Sequence, residues 1–144
     1  MVQKTTSTKH QSAQSLVREW YLIDLKNKVL GRETSYIATL LQGKHKSNYS
    51  AFSDSGDYVV AINSKHVKLT GKKSETKEYQ RYSGYPGGLK IKTFKEVLAK
   101  DSNLIIKYAV SGMLPKNKLR KKRLSRLFIF PEAEHKYKDK FSDK

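Results

Sequence analysis

Tyr58-Val59-Val60-Ala61-Ile62 limits the folds open to this chain more than any other stretch. It is a near-continuous apolar run of strand length, rich in β-branched residues, with no alternation of apolar and polar positions. A strand without alternation is buried on both faces, as in a parallel sheet covered by helices. The segments before it fit that reading. Trp20-Tyr21-Leu22-Ile23-Asp24-Leu25 has strand character, and Lys26-Asn27-Lys28 turns the chain. Gly31 to Gln42 then reads as a helix, with Ile37, Leu40 and Leu41 at helical spacing and Gly43 at a C-terminal cap position. Strand, turn, helix, strand is the start of an α/β unit.

Further elements follow from local chemistry. Lys77 to Tyr82 reads as a third strand. Ser83-Gly84-Tyr85-Pro86-Gly87-Gly88 is a loop, because three glycines and a proline in six residues allow nothing regular. Thr93-Phe94-Lys95-Glu96 matches a capping box, with Phe94, Val97 and Leu98 forming the apolar face of the helix it opens. Ser102 to Gly112 has strand-like composition. Its Asp101-Ser102-Asn103 start and its Leu104/Tyr108 and Ile105/Ala109 pairs favour a helix instead. Gly112 is expected to cap that helix in a left-handed conformation, and Pro115 blocks continuation. Leu127 to Phe130 is the last strand, ended by Pro131. Residues 1–18 read as a flexible leader, 19–131 as one folded domain, and 132–144 as a charged, mobile tail. Residues 1–15 are polar and lack the apolar centre of a secretion signal. No apolar run approaches the roughly 20 residues of a membrane-spanning helix.

Charge decides the class of partner. The chain carries 30 Lys and Arg against 13 Asp and Glu, a formal net charge of +17. Such an excess opposes compaction unless an anion screens it, and it points to nucleic acid ahead of an anionic membrane. The charge is also segregated. Ser102 to Pro131 holds eight Lys or Arg and no acid, and Thr34 to Ser53 and Tyr79 to Lys95 hold no acid either. These windows contain most of the loops. Tyr49, Tyr82 and Tyr85 sit among the cations, a pattern suited to RNA, where cations meet phosphates and aromatic rings stack on unpaired bases. The densest run is Lys116, Lys118, Arg120, Lys121, Lys122, Arg123 and Arg126, held between a helix and a strand.

Catalytic chemistry finds little support. The absence of cysteine excludes disulfides, thiolate zinc sites and a Cys nucleophile. His10, His45, His66 and His135 lack metal-type spacing. Asp54 and Asp57 could flank a metal, but both lie in the turn cluster Ser53 to Asp57, where Asp is favoured for local hydrogen bonding. Gly71-Lys72-Lys73-Ser74 fails as a phosphate-binding loop, because His66 stands where the pattern needs glycine. Gly43-Lys44 fails likewise at Ala38. A small nuclease on an α/β core would need a placed carboxylate or histidine set, and none is evident. A non-ribosomal RNA chaperone or nucleoid protein would also suit the charge.

Several blocks, in order, resemble one family. They are Trp20-Tyr21 with Asp24, Lys28-Val29-Leu30-Gly31-Arg32, Leu41 to Lys46, Asp54 to Val59, Asn63, Thr70 to Lys73, Ser83 to Gly88 and Gly112 to Asn117. Together they resemble the universal large-subunit ribosomal protein numbered thirteen, bacterial type, from Trp20 to His135. The resemblance implies a three-layer α/β/α domain around a four-stranded parallel sheet, with no enzymatic role and no cofactor. The implied partners are large-subunit ribosomal RNA, bound early in assembly, and neighbouring large-subunit proteins in the cytoplasm. No membrane or small-molecule substrate is implied. Carried over, the RNA-facing residues are Gly43, Lys44, His45 and Lys46; Thr70, Gly71, Lys72 and Lys73; Ser83, Gly84, Tyr85, Pro86, Gly87 and Gly88; and Gly112, Met113, Leu114, Pro115, Lys116 and Asn117. Arg32 and the cations Lys118, Arg120, Lys121, Lys122, Arg123 and Arg126 are expected to neutralise phosphates beside them.

Overall fold

A computed structural model describes residues 16–141. At its centre is the apolar run. Strand β2 (Tyr58–Ile62) pairs in parallel with β1 (Trp20–Asp24) on one side and with β5 (Leu127–Ile129) on the other. Val59, Val60 and Ala61 are fully buried, as the missing alternation predicts. Register puts Tyr21, Ile23 and Leu25 beside Val59 and Ala61 and beside Leu127 and Ile129 on one face. Helix α1 (Leu30–Gln42) packs on that face through Ile37, Ala38, Leu40 and Leu41. Helix α4 (Ser102–Met113) lies against α1 and adds Ile105, Ile106 and Val110 to the same core. The short helix α3 (Phe94–Lys100) packs on α4. The N-cap half of its capping box is present, with Thr93 Oγ1 accepting from the Glu96 amide at 3.4 Å. Asp101 caps α4 by accepting from the Asn103 amide at 2.9 Å.

The opposite face of the sheet is aromatic. Trp20 stacks on Tyr58 at 4.5 Å and on Phe128 at 5.8 Å between ring centroids. Tyr137 lies over both Phe128 and Trp20, at 4.5 and 5.2 Å, and Phe141 meets the Trp20 edge. Among the described residues this face is thus covered by the segment after Pro131 rather than by a helix. The expected mobile tail contributes two rings to the fold. Most of the expected leader, residues 1–15, lies outside the described residues.

Three expectations need correction. The parallel sheet has three strands among the described residues, not four. The third expected strand exists, as β3 (Glu78–Tyr82), but it pairs antiparallel with β4 (Leu89–Thr93) in a separate ribbon. A connection of six residues can join a hairpin, whereas a parallel crossover needs about a dozen or more. Gly112 is not a left-handed cap. It lies inside α4, which ends at Met113 because Leu114, the residue before a proline, is pushed into extended backbone. Within the basic run, Leu119–Leu124 forms helix α5. A one-turn helix, α2 (Lys73–Thr76), leads into the ribbon.

Candidate nucleic-acid interface

Two carboxylates, the partly buried Asp54 and the fully buried Asp57, engage several of the cations. Asp54 and Asp57 sit in the loop between α1 and β2, where backbone contact is unusually close. A Cβ on Gly56 would lie 1.9 Å from the Leu41 carbonyl oxygen. Gly43 caps α1 at φ 76° and lies against the Ser55 carbonyl, 2.9 Å from where its own Cβ would be. Gly43 therefore serves the packing of α1 on this loop, and it is buried. That docking holds both carboxylates at the C-terminal end of α1.

Asp54 takes a two-pronged pair from Arg126, whose Nη1 and Nη2 each lie 2.6 Å from a carboxylate oxygen. Arg123 Nε stands 3.7 Å away and Arg18 Nη1 4.0 Å away. Arg126 Nη2 also donates to the Leu41 carbonyl at 3.4 Å, and Arg18 donates to the carbonyls of Gly56 and Asp54. Burial alone pushes the Asp54 carboxyl up. The Arg126 hydrogen bond and the charges of Arg126, Arg18 and Arg123 outweigh it and hold the group below its ordinary value. Asp57 is 0% exposed and takes Lys46 Nζ at 2.5 Å, His45 Nε2 at 3.0 Å and the Glu19 amide at 2.9 Å. Lys46 Nζ also donates to the carbonyls of Val17 and Ser55.

The expected RNA-facing set therefore divides. Arg123 is 1% exposed and Arg126 is buried, and both face Asp54. Lys46 and His45 are engaged by Asp57, and Leu114 belongs to the core. Arg120 is partly buried and its Nη2 donates to the Ser111 carbonyl and hydroxyl. Outward-facing cations of the set are Arg32, Lys44, Lys72, Lys73, Lys116, Lys118, Lys121 and Lys122. Thr70, Gly71, Met113, Pro115 and Asn117 are exposed with them, as are Ser83 to Gly87 at the ribbon tip, where Tyr85 is 75% exposed. Gly88 is packed under that tip against Ser83.

These groups do not gather into one cluster. Most of α1 lies between Arg32 and Gly43, a separation of about 17 Å along the helix. The chain after α4 bridges that gap. Met113 Sδ accepts from Ser35 Oγ at 3.5 Å near the start of α1, and Arg126 reaches Leu41 near its end. The segment from Met113 to Arg126 thus runs beside α1, with Arg120, Arg123 and Arg126 turned in and Lys116, Lys118, Lys121 and Lys122 turned out. Thr70 to Lys73 starts near the N-terminal end of α1, where the Leu30 amide donates to the Lys68 carbonyl at 2.9 Å. No group of His, Asp or Glu able to hold a metal occurs among the described residues. No helix among them is long and apolar enough to cross a membrane.

The profile of the family described as ribosomal protein L13 matches residues 18–136. The chain belongs to the ribosomal protein L13 family. Curated relatives agree over most of its length. The chain is 46% identical over 125 residues to the large ribosomal subunit protein uL13 of Roseiflexus sp. strain RS-1, covering 87% of this chain and 86% of the relative. It is 49% identical over 120 residues to the uL13 of Caldanaerobacter subterraneus subsp. tengcongensis, with 83% and 84% covered. It is 47% identical over 134 residues to the uL13 of Thermotoga petrophila, with 93% and 88% covered. The L13 family is one of structural ribosomal proteins, not of enzymes. The Asp54 and Asp57 hubs of this L13-family chain had no signal in local sequence, because their partners lie up to 72 residues away.

Proposed function

We propose that this chain is a structural constituent of the large ribosomal subunit that binds large-subunit ribosomal RNA early in assembly and stabilises its fold. Residues 19–131 form the RNA-binding body in this reading. Neighbouring large-subunit proteins are further partners, and the setting is the cytoplasmic ribosome. The relatives' names carry the ribosomal part. The observation that carries the binding part is the strip beside α1, where Lys116, Lys118, Lys121 and Lys122 face outward from a backbone fixed by inward-facing arginines. A cation held in place before RNA arrives loses less freedom on binding than one on a loose tail. Structured RNA is recognised largely by shape, phosphates and 2′-hydroxyls, so base readout has a small share.

Salt dependence tests this division of labour. Lys121→Gln with Lys122→Gln should weaken binding to a large-subunit ribosomal RNA transcript. The log–log salt slope should flatten by about 0.7–0.9 per lost phosphate contact. Thermal stability should stay near that of the parent chain, since both side chains are exposed. An unchanged slope contradicts the assignment of this strip to RNA.

A further inference from the structure

The ribbon β3–β4 carries cations that no motif singled out. Strand alternation and register place Tyr79, Arg81, Lys90 and Lys92 on one face, with Arg81 directly opposite Lys90 and Tyr79 opposite Lys92. That face looks across a groove of about 790 Å³ toward Lys100 on α3 and Tyr108 on α4. Glu78 and Glu96 stand on the groove wall, yet neither forms an ion pair with these cations among the described residues. Tyr79 packs against Tyr108 at 5.9 Å between centroids, which leaves Tyr108 half exposed at the floor.

Such a ribbon is poorly arranged for water alone. Like charges directly opposite each other on paired strands repel. A two-stranded ribbon has little stability of its own, and here only Tyr79 and Thr93 are partly buried. A segment of this kind gains most when an anion enters between its cations. The groove has the volume of a small-ligand pocket, so it admits one strand and not a duplex.

We propose, building on the RNA-binding reading above, that this groove seats a single RNA strand. Its phosphates lie against Arg81, Lys90, Lys92 and Lys100, and an unpaired base stacks on the exposed face of Tyr108. The site flanks the glycine-rich tip in sequence and is separate from the strip beside α1.

The test uses the full chain with two probes, a large-subunit ribosomal RNA transcript and a short oligouridine, and a duplex RNA of equal length as the contrast. Lys90→Gln with Lys92→Gln should flatten the transcript salt slope by about 0.7–0.9 per lost contact. It should weaken oligouridine binding and leave duplex binding near the parent value. Removing two repelling charges does not threaten the fold, and circular dichroism confirms it. Tyr108→Leu, which keeps the packing bulk, should cost about tenfold in oligouridine affinity. If Lys121→Gln with Lys122→Gln flattens the slope while the groove variants do not, the groove proposal falls and the RNA-binding reading stands. Equal losses on single strand and duplex also overturn the proposal. If the unaltered chain fails to bind the transcript, both fall.

Discussion

Asp54→Ala is expected to destabilise the fold by about 3–5 kcal/mol, read as a lower denaturation midpoint in urea with little change in slope. Arg126, Arg123 and Arg18 surround this carboxylate, and the first two are buried. Removing it leaves guanidinium groups in a poorly solvated place with no counter-charge. The linked pH dependence has a defined sign. The folded-state carboxyl is held below its ordinary value, so the stabilisation is present above about pH 4 and fades as pH falls through the folded value. Asp54→Asn should remove that acid limb while keeping the side-chain volume. A variant that unfolds at the same urea concentration as its parent would show that the arginines hold their places without Asp54.

Gly56→Ala is expected to be nearly as severe. An added Cβ would sit 1.9 Å from the Leu41 carbonyl oxygen and 2.5 Å from its carbon. Both are backbone atoms at the end of α1, so neither can swing aside. The loop must lift from the helix, moving Asp54 and Asp57 from their cations. Overpacking costs of about 1–3 kcal/mol are typical, and the lost ion pairs add to them. Gly31→Ala is the matching control. Nothing lies within 4 Å of the Cβ it would add on the helix surface, so stability should be unchanged or slightly raised. Equal melting of the two variants would show that the loop has another way to pack.

The difference between these two glycines marks the limit of what the sequence displays. Gly43 was legible as a helix cap because the periodicity stops there. Gly56 was not, because its neighbour Leu41 comes from another element. The buried strand Tyr58–Ile62 was legible because burial on both faces removes alternation. The composition of Ser102–Met113 favoured a strand, but its Asp101-Ser102-Asn103 start and its i,i+4 apolar pairs marked a helix, and the helix formed. The ribbon shows the reverse case. Leu89-Lys90-Ile91-Lys92-Thr93 alternates with period two, a visible strand signal, and a loop of six residues leaves only antiparallel pairing with Glu78–Tyr82.

The candidate interface was legible as charge but not as geometry. Lys121 and Lys122 face water while Arg123 is buried beside Asp54, and no local pattern separates the three. Helical phase does so once α5 is recognised. Residues 120 and 123 fall on one side of the helix, and Arg126 follows with the same spacing. Arg in place of Lys at these positions fits its use for buried ion pairs, since a guanidinium is weakly hydrated and grips a carboxylate with two donors.

In the proposed function, a cationic surface fixed by inward-facing ion pairs binds this chain into the large ribosomal subunit. Its most direct test is sedimentation of the purified chain with large subunits stripped of their own L13-family protein. Stoichiometric uptake that survives moderate salt is expected. A chain that stays in the supernatant, or that loads in excess at low salt and leaves at moderate salt, would contradict it.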